Sequence, residues 1–310
     1  MAPKALITGA TGLLGREVLK AFEAAGYDVV GTGFSRASPP KIVRVDIQDA
    51  DEVSRLFNEV KPQVVVHCAA DRQPDSCTKN PEAAKRLNVT ATEQLVKAAP
   101  DAVFIYISTD YVFAGVKGQA PYKATDEPKP TNVYGQTKLD GERAALAASL
   151  NAVVLRVPVL YGATVPEDNF QESAVNTLLQ NVRRSQTEKV KMDDWAIRYP
   201  TNTADVGRVC ADIAKLYADK KSGAGEHRLP RILQFSSEDR MTKYEISQTF
   251  AAVTGLSTDG LVAEKDGGKP GPDGTLRPYD CHLDTSTLKE LGIDVRTVDF
   301  EAWWRAKLGL

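Results

Sequence analysis

Gly9, Gly12 and Gly15 stand three residues apart between an apolar run, Lys4–Thr8, and a helical repeat of apolar side chains (Leu14, Val18, Leu19, Phe22) that stops at Gly26. A tight strand-to-helix turn this close to the N-terminus opens a βαβ unit, and the chain that follows keeps the rhythm. Strands are predicted at 27–32, 41–45, 64–66, 103–107 and 152–157, with helices at 13–25, 52–60, 81–98 and 132–148 between them. Near-continuous apolar runs such as Val64-Val65-Val66 suit a parallel sheet covered on both faces. After residue 158 the rhythm loosens: helices are predicted at 170–183, 203–219, 242–253 and 285–291, strands are less regular, and Lys265–Pro278 reads as a long mobile Gly/Pro-rich loop that includes Gly271, Pro272 and Gly274. The expected architecture is α/β: a Rossmann-type doubly wound parallel sheet over residues 1–158, with later strands free to rejoin it. A smaller, partly interleaved lobe over 159–310 would leave a binding crevice between the two.

The GxxGxxG turn, Gly9-Ala10-Thr11-Gly12-Leu13-Leu14-Gly15, carries a specific chemistry. Gly9 permits the turn, Gly12 lets backbone N–H groups approach a diphosphate, and Gly15 allows close packing, while the helix N-terminus favours negative charge. The bland alternative is a tight turn without a ligand. An NAD site ordinarily has Asp or Glu at the end of the second strand, for the ribose 2′-hydroxyl. Here that stretch reads Gly31-Thr32-Gly33-Phe34-Ser35-Arg36, and Asp28 lies at the wrong end of the strand. With no carboxylate to repel a 2′-phosphate, and with Ser35 and Arg36 able to bond one, the coenzyme is read as NADP(H). Arg36 as a solvated loop residue remains the alternative. Asp46, followed by Ile47, either flanks an adenine or caps a turn before Asp49.

Tyr134 and Lys138 are four residues apart after the helix-start signal Pro130-Thr131-Asn132, which puts phenol and ammonium on one helical face. Lowering a phenol from about 10 to about 7 takes roughly 4 kcal/mol. One cation at ~4 Å in an effective dielectric near 20 supplies that order of interaction. The expectation is that Lys138 makes Tyr134 a usable general acid. Some 25 residues upstream a strand ends in Ser108-Thr109-Asp110. The hydroxyl of Thr109 (or of Ser108) would face the same crevice and orient a carbonyl. Thr109, Tyr134 and Lys138 beside a dinucleotide turn fit hydride transfer to or from C=O.

Other classes are disfavoured. With 39 Lys+Arg against 41 Asp+Glu the formal net charge is −2, without the basic excess of a nucleic-acid binder. No apolar run approaches the roughly 18 residues of a membrane span. The first strand begins directly behind Met1, which leaves no room for a targeting peptide. Cys68, Cys77, Cys210 and Cys281 lack CxxC spacing, so no metal site is predicted and the thiols read as core packing in the cytoplasm.

GATGLLG, His67-Cys68-Ala69-Ala70, Leu87-Asn88-Val89, STDYVF (108–113) and YGQTK (134–138) together resemble the extended short-chain dehydrogenases/reductases, and within them the dTDP-4-dehydrorhamnose reductase group. The stretches Met192-Asp193-Asp194-Trp195, Arg198-Tyr199-Pro200-Thr201 and Met241-Thr242-Lys243-Tyr244-Glu245 are similar to the regulatory beta subunits of methionine adenosyltransferase, which share that fold. The resemblance implies catalytic positions at Thr109, Tyr134 and Lys138. It implies coenzyme contacts from Gly9, Thr11, Gly12, Leu13, Leu14, Gly15, Phe34, Ser35, Arg36, Asp46, Ile47, Cys68, Ala69, Ala70, Asn88, Tyr134, Lys138 and Arg156. Asn88 matches an asparagine that supports the helix of the proton relay, and Arg277-Pro278 a stretch near a nucleotide-sugar site. Arg198 is a second candidate for an anionic ligand, or else an exposed arginine with no specific role.

Two departures stand out. The beta subunits carry a C-terminal tail that enters the catalytic partner, whereas few residues follow Trp303-Trp304 here; Pro158 replaces a small polar residue of the reductases. Two functions follow from the resemblance. One is an NADP-binding regulator of S-adenosylmethionine synthesis, partnered by the methionine adenosyltransferase catalytic subunit. The other is an NADPH-dependent reductase of a 4-keto-6-deoxy sugar nucleotide. Dehydratase chemistry would need a second acid/base beside Asp110, and no Glu stands there.

Overall fold

The computed structural model describes residues 2–166, 169–221, 229–271 and 274–310. Six strands are separated by helices except between the second and third: β1 (Lys4–Thr8), β2 (Asp28–Gly33), β3 (Ile42–Arg44), β4 (Val64–His67), β5 (Val103–Thr109) and β6 (Ala152–Val157). With the later strand Ile232–Gln234 they form one parallel seven-stranded sheet, ordered Ile232–Gln234, β6, β5, β4, β1, β2, β3. The order reverses between β1 and β4, which opens a crevice at the carboxyl ends of those strands.

Alternation along each strand sorts side chains into two cores. Ala5, Ile7, Val64, Val66 and Ile105 face one side, where helices Leu13–Ala24 and Thr203–Lys221 supply Val18, Phe22, Val206 and Ile213. Leu6, Val65, Phe104 and Tyr106 face the other, against Val53, Leu56 and Phe57 of helix Ala50–Val60 and Leu95 of helix Ala91–Ala98. A sheet covered on both faces explains why these strands read as unbroken apolar runs.

The predicted helix over 81–98 contains a π turn, Arg86–Thr90, between α-helical Pro81–Lys85 and Ala91–Ala98. The segment over 170–183 is helical only at Phe170–Glu172 and Asn176–Arg184. The second lobe packs Leu179, Phe250, Phe300 and Trp304 together, with Tyr161 against the Trp303 and Trp304 rings. Within the Lys265–Pro278 loop, Gly267 lies against the Trp195 ring so closely that a Cβ there would come within 2.0 Å of it. Pro272 lies outside the described residues. Among the described residues no helix is long and apolar enough to cross a membrane.

Arg156 corrects an expectation. It does not line the crevice. Its side chain is buried on the helix-covered face of β6, where Nε and Nη2 donate to Glu142 at 2.9 and 2.8 Å. Ser108 Oγ donates to the same carboxylate at 2.6 Å, and the guanidinium lies 5.0 Å from the Phe113 ring centroid. The pair ties helix Val133–Ala148 to the sheet, and removing one partner leaves a buried, uncompensated charge. Glu142→Ala is expected to cost about 3–5 kcal/mol of stability, measured by urea unfolding; a loss under about 1 kcal/mol would mean that the pair behaves like a solvated one.

Candidate functional site

The crevice is built first by backbone. Gly9 has φ +67°, and a Cβ on it would lie 2.8 Å from the Ala69 nitrogen; a Cβ on Gly15 would meet the Gly9 carbonyl oxygen at 2.2 Å. The turn can therefore close only with glycine at both positions. Helix Leu13–Ala24 starts from Gly12, and among the described residues no side chain caps its first turn. A cavity of about 860 Å³ opens there, within the range of small-molecule and cofactor sites. It is lined by Gly9, Thr11, Gly12, Leu13, Leu14 and Gly15 of the turn, by Phe34, Ser35, Arg36, Asp46, Ile47, Cys68, Ala69 and Ala70, and at its far end by Thr109, Tyr134 and Lys138. An uncapped helix start facing a cradle too tight for side chains fits a diphosphate.

At the near end, the Asp46 side chain accepts from Gln48 N at 2.9 Å, and Asp49 caps helix Ala50–Val60. Asp46 thus supports its turn while lining the cavity. Arg36 is not a free loop residue. It pairs with Glu172, a carboxylate from the second lobe that is 6 % exposed. Arg16, one turn into the first helix, donates Nη2 to Glu172 Oε2 at 2.7 Å and to the Ala163 carbonyl at 3.0 Å, and Nη1 to the Thr11 carbonyl at 2.7 Å. Burial pushes the Glu172 carboxyl up, but hydrogen bonds from Arg16 and Arg36 outweigh it and hold the group below its ordinary range. Sequence reasoning missed Glu172 and Arg16, because no local pattern links positions 16, 36 and 172.

At the far end, Thr109 closes β5 and caps the 3₁₀ turn Asp110–Val112, accepting from Tyr111 N at 3.2 Å and donating to Asp110 Oδ1 at 3.0 Å. Asn132 caps helix Val133–Ala148 by accepting from Gly135 N at 2.9 Å, which brings Tyr134 and Lys138 to the same wall. Burial, rather than the charge of one group on the other, dominates both side chains. Burial pushes the Tyr134 phenol well up, against a smaller downward pull from Thr109. Burial lowers Lys138 to about 7; its Nζ donates to the Ile107 carbonyl at 2.7 Å and lies 4.1 Å from the Tyr106 ring centroid. The phenol keeps its proton, and the lysine is the group that titrates near neutrality.

Asn88 does not line the cavity. It sits on the π turn, accepting from Asp71 N at 2.9 Å and donating to the Asp71 carbonyl and to Thr137 Oγ1 at 3.0 and 3.1 Å. It thereby positions the Tyr134–Lys138 helix from behind. His67 is buried between Thr8 and Thr92, and burial lowers it to about 3, so it stays neutral.

The second lobe supplies a cationic wall of Arg198, Lys243 and Arg277, with Pro158 at its edge. Arg198 is 6 % exposed, contrary to the reading of an exposed arginine, and lies 5.8 Å from the Tyr111 ring centroid. Burial raises neighbouring Asp110 to about 6, with Arg198 pulling it down, and burial lowers Lys243 to about 8. Arg277 pairs with Asp75. Anionic ligands are favoured along this wall.

A family model described as the RmlD substrate binding domain matches residues 3–306. Methionine adenosyltransferase 2 subunit beta of Rattus norvegicus is 42 % identical over 296 residues, 95 % of this chain and 84 % of the relative. A dTDP-4-dehydrorhamnose reductase of Mycolicibacterium smegmatis is 40 % identical over 163 residues, 52 % of this chain and 47 % of the relative. Among solved structures, a dTDP-4-dehydrorhamnose reductase ortholog of Clostridium acetobutylicum superposes with a TM-score of 0.79 at 27 % identity, covering 99 % of this chain and 98 % of that one. The Bacillus anthracis reductase, solved in complex with NADP, gives 0.78 at 22 % identity, over 99 % and 97 %.

The displaced lysine has a signed consequence. Between about 7, the native value of Lys138, and about 10.4, its unfolded value, the unfolded chain holds a proton that the native one has released. Stability attributable to this group therefore rises with pH across that window. Lys138→Met is expected to flatten the rise in unfolding midpoint between about pH 7 and about pH 9; an unchanged slope would show that the ammonium is not desolvated.

Proposed function

The chain belongs to the RmlD substrate binding domain family, and on that premise we propose that it is an NADP(H)-binding regulatory subunit that associates with a methionine adenosyltransferase catalytic chain. The observation that carries this reading is the extent of the likeness. Identity with the beta subunits runs through the second lobe, whereas identity with the matched reductase covers about half of the chain. The stretch Met192–Thr201, which brings Arg198 to the cleft wall, lies in that second lobe. Four free thiols accord with a cytoplasmic setting.

The residues in the cleft fit the coenzyme. First-turn N–H groups after Gly12 would hold the diphosphate, Phe34 and Ile47 would flank the adenine, and Ser35 and Arg36 would meet a 2′-phosphate. Lys138 and Tyr134 would border the nicotinamide end. Bound there, the coenzyme supplies a hydride donor or acceptor.

A second reading is favoured by one feature, the Thr109–Tyr134–Lys138 set on a single wall. In a reductase of a 4-keto-6-deoxy sugar nucleotide, Thr109 and Tyr134 would orient the carbonyl, and the protonated phenol would donate to its oxygen as general acid. The cationic wall would take the diphosphate of the substrate.

The two readings separate in one set of measurements. The regulator reading expects heat on titration with NADP⁺ or NADPH, co-elution with the methionine adenosyltransferase catalytic subunit and altered kinetics of that subunit. Failure to co-elute, together with unchanged kinetics, overturns it. The reductase reading expects loss of NADPH absorbance with a dTDP-4-keto-6-deoxy sugar, reduced about 10²–10⁴-fold in Tyr134→Phe. No turnover with that substrate would remove it.

A further inference from the structure

At the end of β2, where a dinucleotide site often places an acid, the sequence has Gly33-Phe34-Ser35-Arg36 and the fold delivers Glu172 instead. The carboxylate absent from the strand arrives from the second lobe, and it meets the very guanidinium assigned to a 2′-phosphate.

The two arginines on Glu172 are not equivalent. Arg16 is 15 % exposed and fixed by two backbone carbonyls as well as by the carboxylate, whereas Arg36 is 49 % exposed and rests on Glu172. Arg16 is therefore the permanent partner and Arg36 the exchangeable one. Glu172 Oε2 also accepts from Val165 N at 3.3 Å, so the carboxylate stays in place when Arg36 leaves. Two guanidiniums against one carboxylate leave one positive charge over, enough to attract a phosphate but too little to neutralise a dianion beside Glu172.

We infer that Glu172 sets the preference between phosphorylated and unphosphorylated dinucleotide, by holding Arg36 as an internal substitute for the 2′-phosphate. The phosphate must draw Arg36 from the carboxylate and then sit near that negative charge. A dinucleotide without the phosphate leaves the ion pair intact and presents its ribose 2′-hydroxyl to an acceptor, the role an acid at this place performs in NAD sites. Glu172 thus restrains selectivity for NADP(H) that Arg36 alone would make steeper. This rests on the coenzyme reading above and deepens it.

The test is calorimetric and needs no turnover: 2′,5′-ADP and 5′-AMP are titrated into the full chain, since the two probes differ only in the 2′-phosphate. Wild type is expected to prefer 2′,5′-ADP. Glu172→Gln keeps the shape and an oxygen for Arg16 while removing the charge. It is expected to raise the ratio of affinities about tenfold, the scale of one charge-assisted hydrogen bond. Arg36→Gln, which leaves Arg16 on the Glu172 carboxylate, is expected to bring the ratio near one. In that background Glu172→Gln should change it clearly less than in wild type, the non-additivity of a direct pair. If Glu172 merely clamps the lobes, both affinities or the melting temperature move together while the ratio stays as in wild type, and the inference is overturned. A ratio that survives Arg36→Gln overturns it as well. If wild type binds neither probe nor NADP⁺, the coenzyme reading itself fails; binding with an insensitive ratio removes only the role of Glu172.

Discussion

The end of β1 lies so close to the end of β4 that nothing larger than a hydrogen fits on Gly9 beside the Ala69 nitrogen. Much of the cleft follows from this approach. It forces the left-handed turn, the turn sets the start of helix Leu13–Ala24 at Gly12, and the helix then presents N–H groups that no side chain among the described residues caps. The same approach brings the loop after β4, with Cys68, Ala69 and Ala70, to the floor of the cavity. Backbone sterics thus fix the place of negative charge before any charged side chain is considered.

The far end of the cleft is fixed by buried polar groups instead. Glu142–Arg156 with Ser108, Asn88 with Asp71 and Thr137, and His67 with Thr8 and Thr92 connect helix Val133–Ala148 and the π turn to the strands beneath. Such networks add little net stability over apolar packing, but they penalise any register that leaves a member unpaired. Their position immediately behind Tyr134 and Lys138 fixes the register of the helix that carries that pair. It also accounts for the burial that keeps the phenol protonated and brings the lysine near neutrality.

Much of the fold was legible because it rests on short-range signals. Strand boundaries at Lys4–Thr8 and Ala152–Val157 follow directly from apolar runs, and the helix after Asn132 from its cap. The π turn at Arg86–Thr90 has no periodic signature distinct from an α-helix. Helix Phe300–Leu308, capped by Asp299 and only nine residues long, has no counterpart among the predicted elements. In the site, residues on one wall were readable from spacing, while relations across the cleft were not. Glu172 acquires its meaning only when the second lobe folds against Arg16 and Arg36. Arg156 illustrates the opposite error: a charged residue near a binding motif reads as a ligand contact, yet its acid lies fourteen residues upstream in the core.

The return of the chain to the first sheet has a consequence for how this protein can be divided. Ile232–Gln234 covers what would otherwise be the open edge of β6, and helix Thr203–Lys221 shields the sheet face beside helix Leu13–Ala24. A fragment cut after the sixth strand would expose unpaired backbone along one flank and an oily surface on top, the two hallmarks of a species that self-associates. The first lobe is therefore not a module that ends with the sixth strand, because a later stretch of the chain supplies its edge and part of its cover.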